Sequence, residues 1–451
     1  MKLYKNLMIA AGFVAAFTQA PITVAKAPAD ELSRLGNDLT PMGAEKAGNA
    51  DGSIPEWTGG LTSPPADFVG DKGHPDPFAG DEILLTIDAG NYQEHKDKLS
   101  DGHIAMLKKY PDTFKMNVYP TRRSAAYPQK VYDACKTEGA VVEKTNNGNG
   151  LSANSYCPFP LPEDALDVIW NHITRYRGDS VHRYVTQSVV QENGAFKPTK
   201  LEDYFIWPHV FDNPEENRLY YFFQKVNAPA RLEGNVLLVH EPLDQIKETR
   251  LAWLYNAGQR RVRRAPQVAY DGPGTASEGA RTADNYDMYN GAADRYNWKL
   301  VGKKELYIPY NSYKLDDTSL KYEDILHKGH INPDLLRYEL HRVWVVEAEL
   351  KEGKRHIYAK RRFYVDEDSW GIAVVDHYDG RGELWRLGEG HAIQYYEALV
   401  PWYRAETLYD LQSGRYLALG LANEEKRQFE WGVKAKFRNF TPAALRRAGR
   451  K

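Results

Sequence analysis

The stretch from Arg337 to Arg386 admits few folds. In Leu340–Leu350 the apolar residues Leu340, Trp344, Val346, Ala348 and Leu350 share one parity, with Glu347 and Glu349 on the other. His356–Asp366 sets Ile357, Ala359, Phe363 and Val365 against His356, Lys360 and Arg362. Trp370–Tyr378 sets Trp370, Ile372 and Val374 against Gly371, Ala373 and His377. Period-two alternation over runs this long means strands with one face buried and one wet. The links Lys351–Lys354, Asp366–Ser369 and Tyr378–Gly382 are short and turn-like, so successive strands pair as hairpins. The expected class is mainly β with α (α+β): a curved, open antiparallel sheet, or incomplete β-barrel, covered by helices.

Further strands are expected at Val181–Gln191, Leu219–Val226, Asn235–Glu241, Arg250–Tyr255, Gln259–Arg264 and Leu300–Tyr310. Beyond the central meander come Ile393–Ala398, Glu406–Leu411, Tyr416–Ala422 and Gly432–Phe437. Pro266–Asp294, rich in Gly, Ala and Asp, reads as a long loop, and Tyr119–Tyr132 as loop with a short strand. Tyr92–Tyr110 has helical spacing, with Leu99, His103, Met106, Leu107 and Tyr110 on one face. The clearest helix is Glu163–Tyr176, with acids in its first turn and Gly178 just beyond its end. Its apolar face, Leu166, Ile169, Trp170 and Ile173, makes it the candidate lid of the sheet. Four divisions are expected: a leader at 1–25, an extended arm and helix at 26–135, the half-barrel with its lid helix (163–176) at 136–437, and a basic helical tail at 438–451.

Of the 451 residues, 42% are hydrophobic and 27% charged, enough for a large core. The 30 Tyr, 15 Phe and 10 Trp suit strands with an apolar side and a wet rim. A net charge of −2 gives no reason to expect nucleic acid. Lys2 and Lys5 precede an apolar run from Leu7 to Phe17 and then small residues, the pattern of an export signal cleaved after Ala25. That run is shorter than the roughly 20 residues of a membrane span. No cysteine follows it closely, so the expected product is a periplasmic, soluble, non-lipidated protein. Cys135 and Cys157 then read most simply as a disulfide. A redox or metal pair is the alternative, with no CxxC or His ladder behind it.

The signatures of common catalytic sites are absent: no Gly-x-Ser-x-Gly, no His-Glu-x-x-His, no phosphate loop and no dinucleotide fingerprint. No catalytic residue, cofactor or metal is therefore assigned. Gly258–Arg264 is the sharpest charge cluster. On a strand, Arg260 and Arg264 share one face and can meet an anionic head group. Ion pairing to Asp271, Asp284 or Asp287 is the plainer reading. Arg175 and Arg177, beside Trp170 and His172, sit where a helix C-terminus favours cations and are further head-group or docking candidates. The aromatic strands, which pack as core or line a cavity, add Tyr221, Phe223 and Trp253. The cavity candidates are those three with Trp170, Ile173, Leu340, Trp344, Val346 and Phe363. If the Trp344–Val346 face lines a cavity, Val346→Trp should fold as the native chain does.

Five blocks carry a family likeness: Ala47–Gly52 with Trp57–Gly60, Trp170–Gly178, Gly258–Pro266, Asp287–Tyr310 and Asn332–Asp376. They resemble an exported bacterial family of unknown function whose members are called outer-membrane lipoprotein-sorting-like. The likeness runs from about Leu32 to Arg450. It implies a fold similar to the periplasmic lipoprotein carriers LolA and LolB, an open sheet around an apolar cavity. It also implies the company of an inner-membrane exporter of the resistance-nodulation-division type and of an outer-membrane protein. The expected function is a periplasmic carrier or binding protein for a lipid or other hydrophobic cargo. An envelope glycan or lipid hydrolase or lyase, and a non-catalytic adaptor of an envelope transport complex, are the alternatives.

Overall fold

Two antiparallel meanders joined edge to edge form the body of the computed structural model, which describes residues 29–450 except 71, 266, 267, 269 and 427. The expected leader lies outside the described residues. Short strands come first: β1 (Leu85–Ile87), β2 (Met116–Val118) and the separate pair β3 (Lys144–Thr145) and β4 (Gly150–Leu151). The first meander comprises β5 (Ser180–Val190), β6 (Thr199–Ile206), β7 (Tyr220–Ala228), β8 (Val236–Glu241), β9 (Leu251–Asn256) and β10 (Arg261–Arg264). The second comprises β11 (Tyr296–Pro309), β12 (Tyr338–Leu350), β13 (Lys360–Asp366), β14 (Ile372–Tyr378), β15 (Leu384–Tyr395), β16 (Val400–Asp410) and β17 (Tyr416–Leu421). A last strand, β18 (Phe429–Trp431), pairs with β5.

The two meanders meet where β17 pairs antiparallel with β5, Leu417 opposite Val189. In space β10 therefore ends one side of the sheet, and β11, paired to β12, lies near the other. The fold is mainly β and the sheet is open, as the alternation predicts. The openness has a consequence for the chain. The connection 265–295 leaves β10 and must reach β11 at the far side, so it crosses the sheet. Its side chains show the route: Asp287 meets Arg175, Arg177 and Trp402, and Asp284 meets Arg361 and His356.

Both faces of the sheet are covered. One apolar cluster holds Val346, Phe363, Val365 and Ile372 together with Trp170 and Ile173 of the Ala165–Thr174 helix. A second, on the other face, takes Val343, Val345, Tyr364 and Val374 under Met106 and Leu107 of the Asp101–Lys109 helix; a register shift between β13 and β14 turns Val374 away from Ile372. A third packs Tyr221, Phe223 and Leu238 against Phe440 and Leu445, the latter in the Pro442–Ala448 helix. The Ala165–Thr174 helix is anchored by a capping box, Asp164 accepting from the Asp167 amide at 3.1 Å and Asp167 from the Asp164 amide at 3.2 Å.

Several elements differ from expectation for local reasons. The Tyr92–Tyr110 helix is broken, because Ser100 turns extended and caps a new helix by accepting from the His103 amide at 3.1 Å. Gln129–Glu138, the start of which was read as loop, is a helix following Pro128. Its buried Cys135 forms a disulfide with Cys157. Strand β6 was not expected, since its buried parity (Leu201, Asp203, Phe205) carries an acid. β15 replaces the expected Ile393–Ala398, with Gly390 accepting the ring of Tyr403 where a side chain would collide. Gly432–Phe437, expected as a strand, has no ladder partner among the described residues; the paired strand is β18 just before it.

Candidate functional site

The inner face of the first meander is built from aligned rungs. One runs Val181, Phe205, Phe222, Val239 and Ala252 across β5 to β9. The neighbouring rung runs Arg183, Asp203, Gln224, Leu237, Leu254 and Arg263 across β5 to β10. Side chains on successive rungs two residues apart share a face, so these two form one continuous wall. The wall is apolar at its centre and cationic at both ends.

The crossing connection supplies the facing wall through Val268, Gly272–Ala276, Ala283 and Tyr286. Between the walls lies a cavity of about 730 Å³. That is within the roughly 300–1,000 Å³ of small-molecule sites. The exposed rim carries Leu254, Arg261, Arg263 and Arg264. The buried end carries Arg177, Arg183 and Arg281.

Most of the inner cations are matched by buried acids that are not part of the cavity lining. Arg183 reaches Asp203 at 3.1 Å and also meets the Tyr286 hydroxyl. Gln224 donates to the other oxygen of Asp203 at 3.0 Å. Burial pushes the Asp203 carboxyl up, against the pull of Arg183. Arg177 stacks on Phe205 with its guanidinium 4.5 Å from the ring centre, and pairs with Asp287. Burial lowers the Arg177 pKa, partly offset by Asp287. Arg250, also in the lining, pairs with Glu241.

Most of the expected cavity candidates lie outside the lining of this cavity. Tyr221, Phe223 and Trp253 belong to the opposite face, in the third cluster beneath the Pro442–Ala448 helix. The run Tyr220–Phe223 is apolar at every position, so parity alone could not say that Tyr220 and Phe222 face the cavity. Trp170 and Ile173 are buried in the main cluster, the indole of Trp170 donating to the Gly148 carbonyl at 2.9 Å. Val346 and Phe363 are fully buried in that cluster and are not among the residues lining this cavity. Leu340 packs in the second cluster, and Trp344 lies half-buried with Lys303 4.8 Å from its ring centre. Among the described residues, the helix and Met288 and Tyr289 of the crossing connection pack against this part of the second meander.

Of the four arginines singled out, Arg264 and Arg177 line the cavity. Arg175 is spent on Asp287 at 2.8 Å, and Arg260 sits exposed in the β9–β10 turn with φ 54°. The plainer ion-pair reading does not hold for the cluster. Asp271 pairs with Arg295, Asp284 with Arg361 and Asp287 with Arg175 and Arg177. Among the described residues Arg260, Arg261, Arg263 and Arg264 have no carboxylate partner. Sequence reasoning missed Arg183 and Arg281. Arg183 shares the buried parity of Val181 and Val185, which is a readable signal; Arg281, inside a long loop, gave none.

Among solved structures, the chain is similar to a putative outer membrane lipoprotein-sorting protein domain from Vibrio parahaemolyticus, with a TM-score of 0.44 and 14% identity over 62% of this chain and 98% of that one. A DUF1329 family protein from Desulfovibrio piger gives 0.44 and 14% over 62% and 96%. A LolA superfamily protein from Nitrosomonas europaea gives 0.38 and 13% over 62% and 98%. An uncharacterised protein of Pseudomonas aeruginosa is 57% identical over 450 residues, 98% of this chain and 99% of the relative. The profile of the protein of unknown function DUF1329 matches residues 86–446. The chain belongs to the DUF1329 family.

Proposed function

We propose that the chain binds and carries a lipid or other hydrophobic molecule in the cell envelope, in the cavity between β5–β10 and the crossing connection. The observation that carries this reading is the cavity itself: about 730 Å³, apolar across its central wall and reached past an exposed rim. An apolar space of that size forfeits packing that a core would otherwise gain, which a hydrophobic ligand would restore. Transfer in the periplasm, between an inner-membrane exporter of the resistance-nodulation-division type and an outer-membrane protein, completes the reading and rests on the family resemblance. Native mass spectrometry of protein purified without detergent tests it. The expected result is a bound species, released on denaturation and extractable into organic solvent. Protein that is ligand-free under these conditions and takes up no added lipid, yet holds a membrane partner, would instead support the adaptor.

A further inference from the structure

Arg281 is 5% exposed and lines the buried end of the cavity. Unlike its neighbours it has no ion pair among the described residues. Its one side-chain hydrogen bond is a long one, 3.4 Å to the Gln187 amide oxygen, and its Nε has no partner. Gly274 closes against the guanidinium, where a Cβ would lie 2.7 Å from Cζ. The ring of Tyr286 stands 5.4 Å away. Of the carboxylates whose charge reaches Arg281 (Glu406, Asp203 and Asp284), Glu406 acts most strongly and shares a small void with it, but forms no ion pair with it. Glu406 accepts from the Met288 amide at 2.9 Å, and burial together with Asp287 raises its pKa to about 7. It is therefore a poor standing anion.

The cavity lining has the same sign throughout. Among the described residues lining the cavity, every charged side chain is an arginine and none is Asp or Glu. Asp203, Glu241 and Asp287, none of them in the lining, pair with Arg183, Arg250 and Arg177. Of the buried arginines in the lining, Arg281 is left over. A buried charge without a partner is expensive, and protein chains keep one where a ligand completes it.

We infer that Arg281 binds the anionic group of an amphiphile, a carboxylate or a phosphate monoester, whose apolar tail lies along Phe222, Leu237 and Leu254 toward the rim. The inference rests on the cavity being a cargo site and adds the head-group chemistry and its inward orientation. Guanidinium suits both oxyanions, because its planar fork donates two parallel hydrogen bonds. The buried position excludes water from the contact and leaves the rim arginines for the solvent side.

The test compares a fluorescent fatty acid, an alkyl phosphate and the matching fatty alcohol on the native protein and on Arg281→Gln. The native chain should prefer either anion to the alcohol by at least about tenfold, in the range of a charged hydrogen-bonded contact. Arg281→Gln should lose that preference while binding the alcohol as before. Arg281→Met, which removes the unpaired charge, should melt no lower than the native protein, unlike removal of a paired arginine. If Arg281→Gln keeps the anion preference, and Arg263→Gln abolishes it, the head group sits at the rim and the inference is overturned. A native chain that prefers the alcohol overturns it too. Failure of all three probes on the native chain would instead remove the cargo reading. A fatty acid bound in preference to the alkyl phosphate, or the reverse, assigns the class of head group.

Discussion

Arg175 and Arg177 leave the end of the Ala165–Thr174 helix together, and both are held by Asp287 of the crossing connection. Asp287 also accepts from the indole of Trp402 at 2.7 Å, and its carboxyl is held well below the usual range, Arg175 and Arg177 outweighing burial. Asp287→Ala would leave two buried guanidinium groups unpaired, at a cost of about 3–5 kcal/mol. Urea denaturation should show that loss; a change within 1 kcal/mol would contradict it. His74 makes the same kind of tie for the N-terminal arm, through Asp316 at 2.6 Å and Glu397 at 3.2 Å. Burial opposes its protonation, but the two carboxylates prevail and raise its pKa from 6.5 to about 9. The folded protein thus keeps a proton that the unfolded chain releases first. This contribution to stability is full below pH 6.5 and is lost as the pH rises through about 9. The stability gap between the native chain and His74→Gln should therefore narrow across that interval, and a gap constant with pH would contradict the assignment. At this scale the sequence showed the helix-end arginines. It could not show their partner, because the pairing depends on the crossing connection.

Strand β12 shows what alternation can and cannot tell. Its period-two pattern predicts a strand correctly, yet both faces of the sheet are covered, so an apolar parity does not distinguish cavity from core. Val346 lies opposite Phe363 on β13 and Leu300 on β11, with no exposure. The sequence-based expectation that Val346→Trp is accommodated is therefore reversed. The substitution should destabilise by about 1–3 kcal/mol or more, since bulk added to a filled core forces its neighbours off their rotamers. A melting temperature equal to that of the native chain would show free space at that face. Strand β6 was illegible for a related reason: Asp203 on its buried parity looks solvent-facing until Arg183 and Gln224 are placed beside it.

On the scale of the molecule, one topological fact organises the rest. Two meanders joined through β5 and β17 put the ends of β10 and β11 on opposite sides, and the chain between them becomes one wall of the cavity. The sequence marked 266–294 as a long loop by its Gly, Ala and Asp content, but nothing local in a loop states which face it crosses. The family likeness was legible because it rests on contiguous blocks, whereas the site depends on register between strands far apart in the chain. Leu237, between Gln224 and Leu254 on the central wall, is the position to block. Titration of a fluorescent fatty acid into the native protein and into Leu237→Trp tests the cargo reading most directly. Saturable binding by the native chain, lost in a Leu237→Trp protein that still folds and melts near the native temperature, is the result expected. Binding by the folded Leu237→Trp protein at undiminished affinity would contradict it.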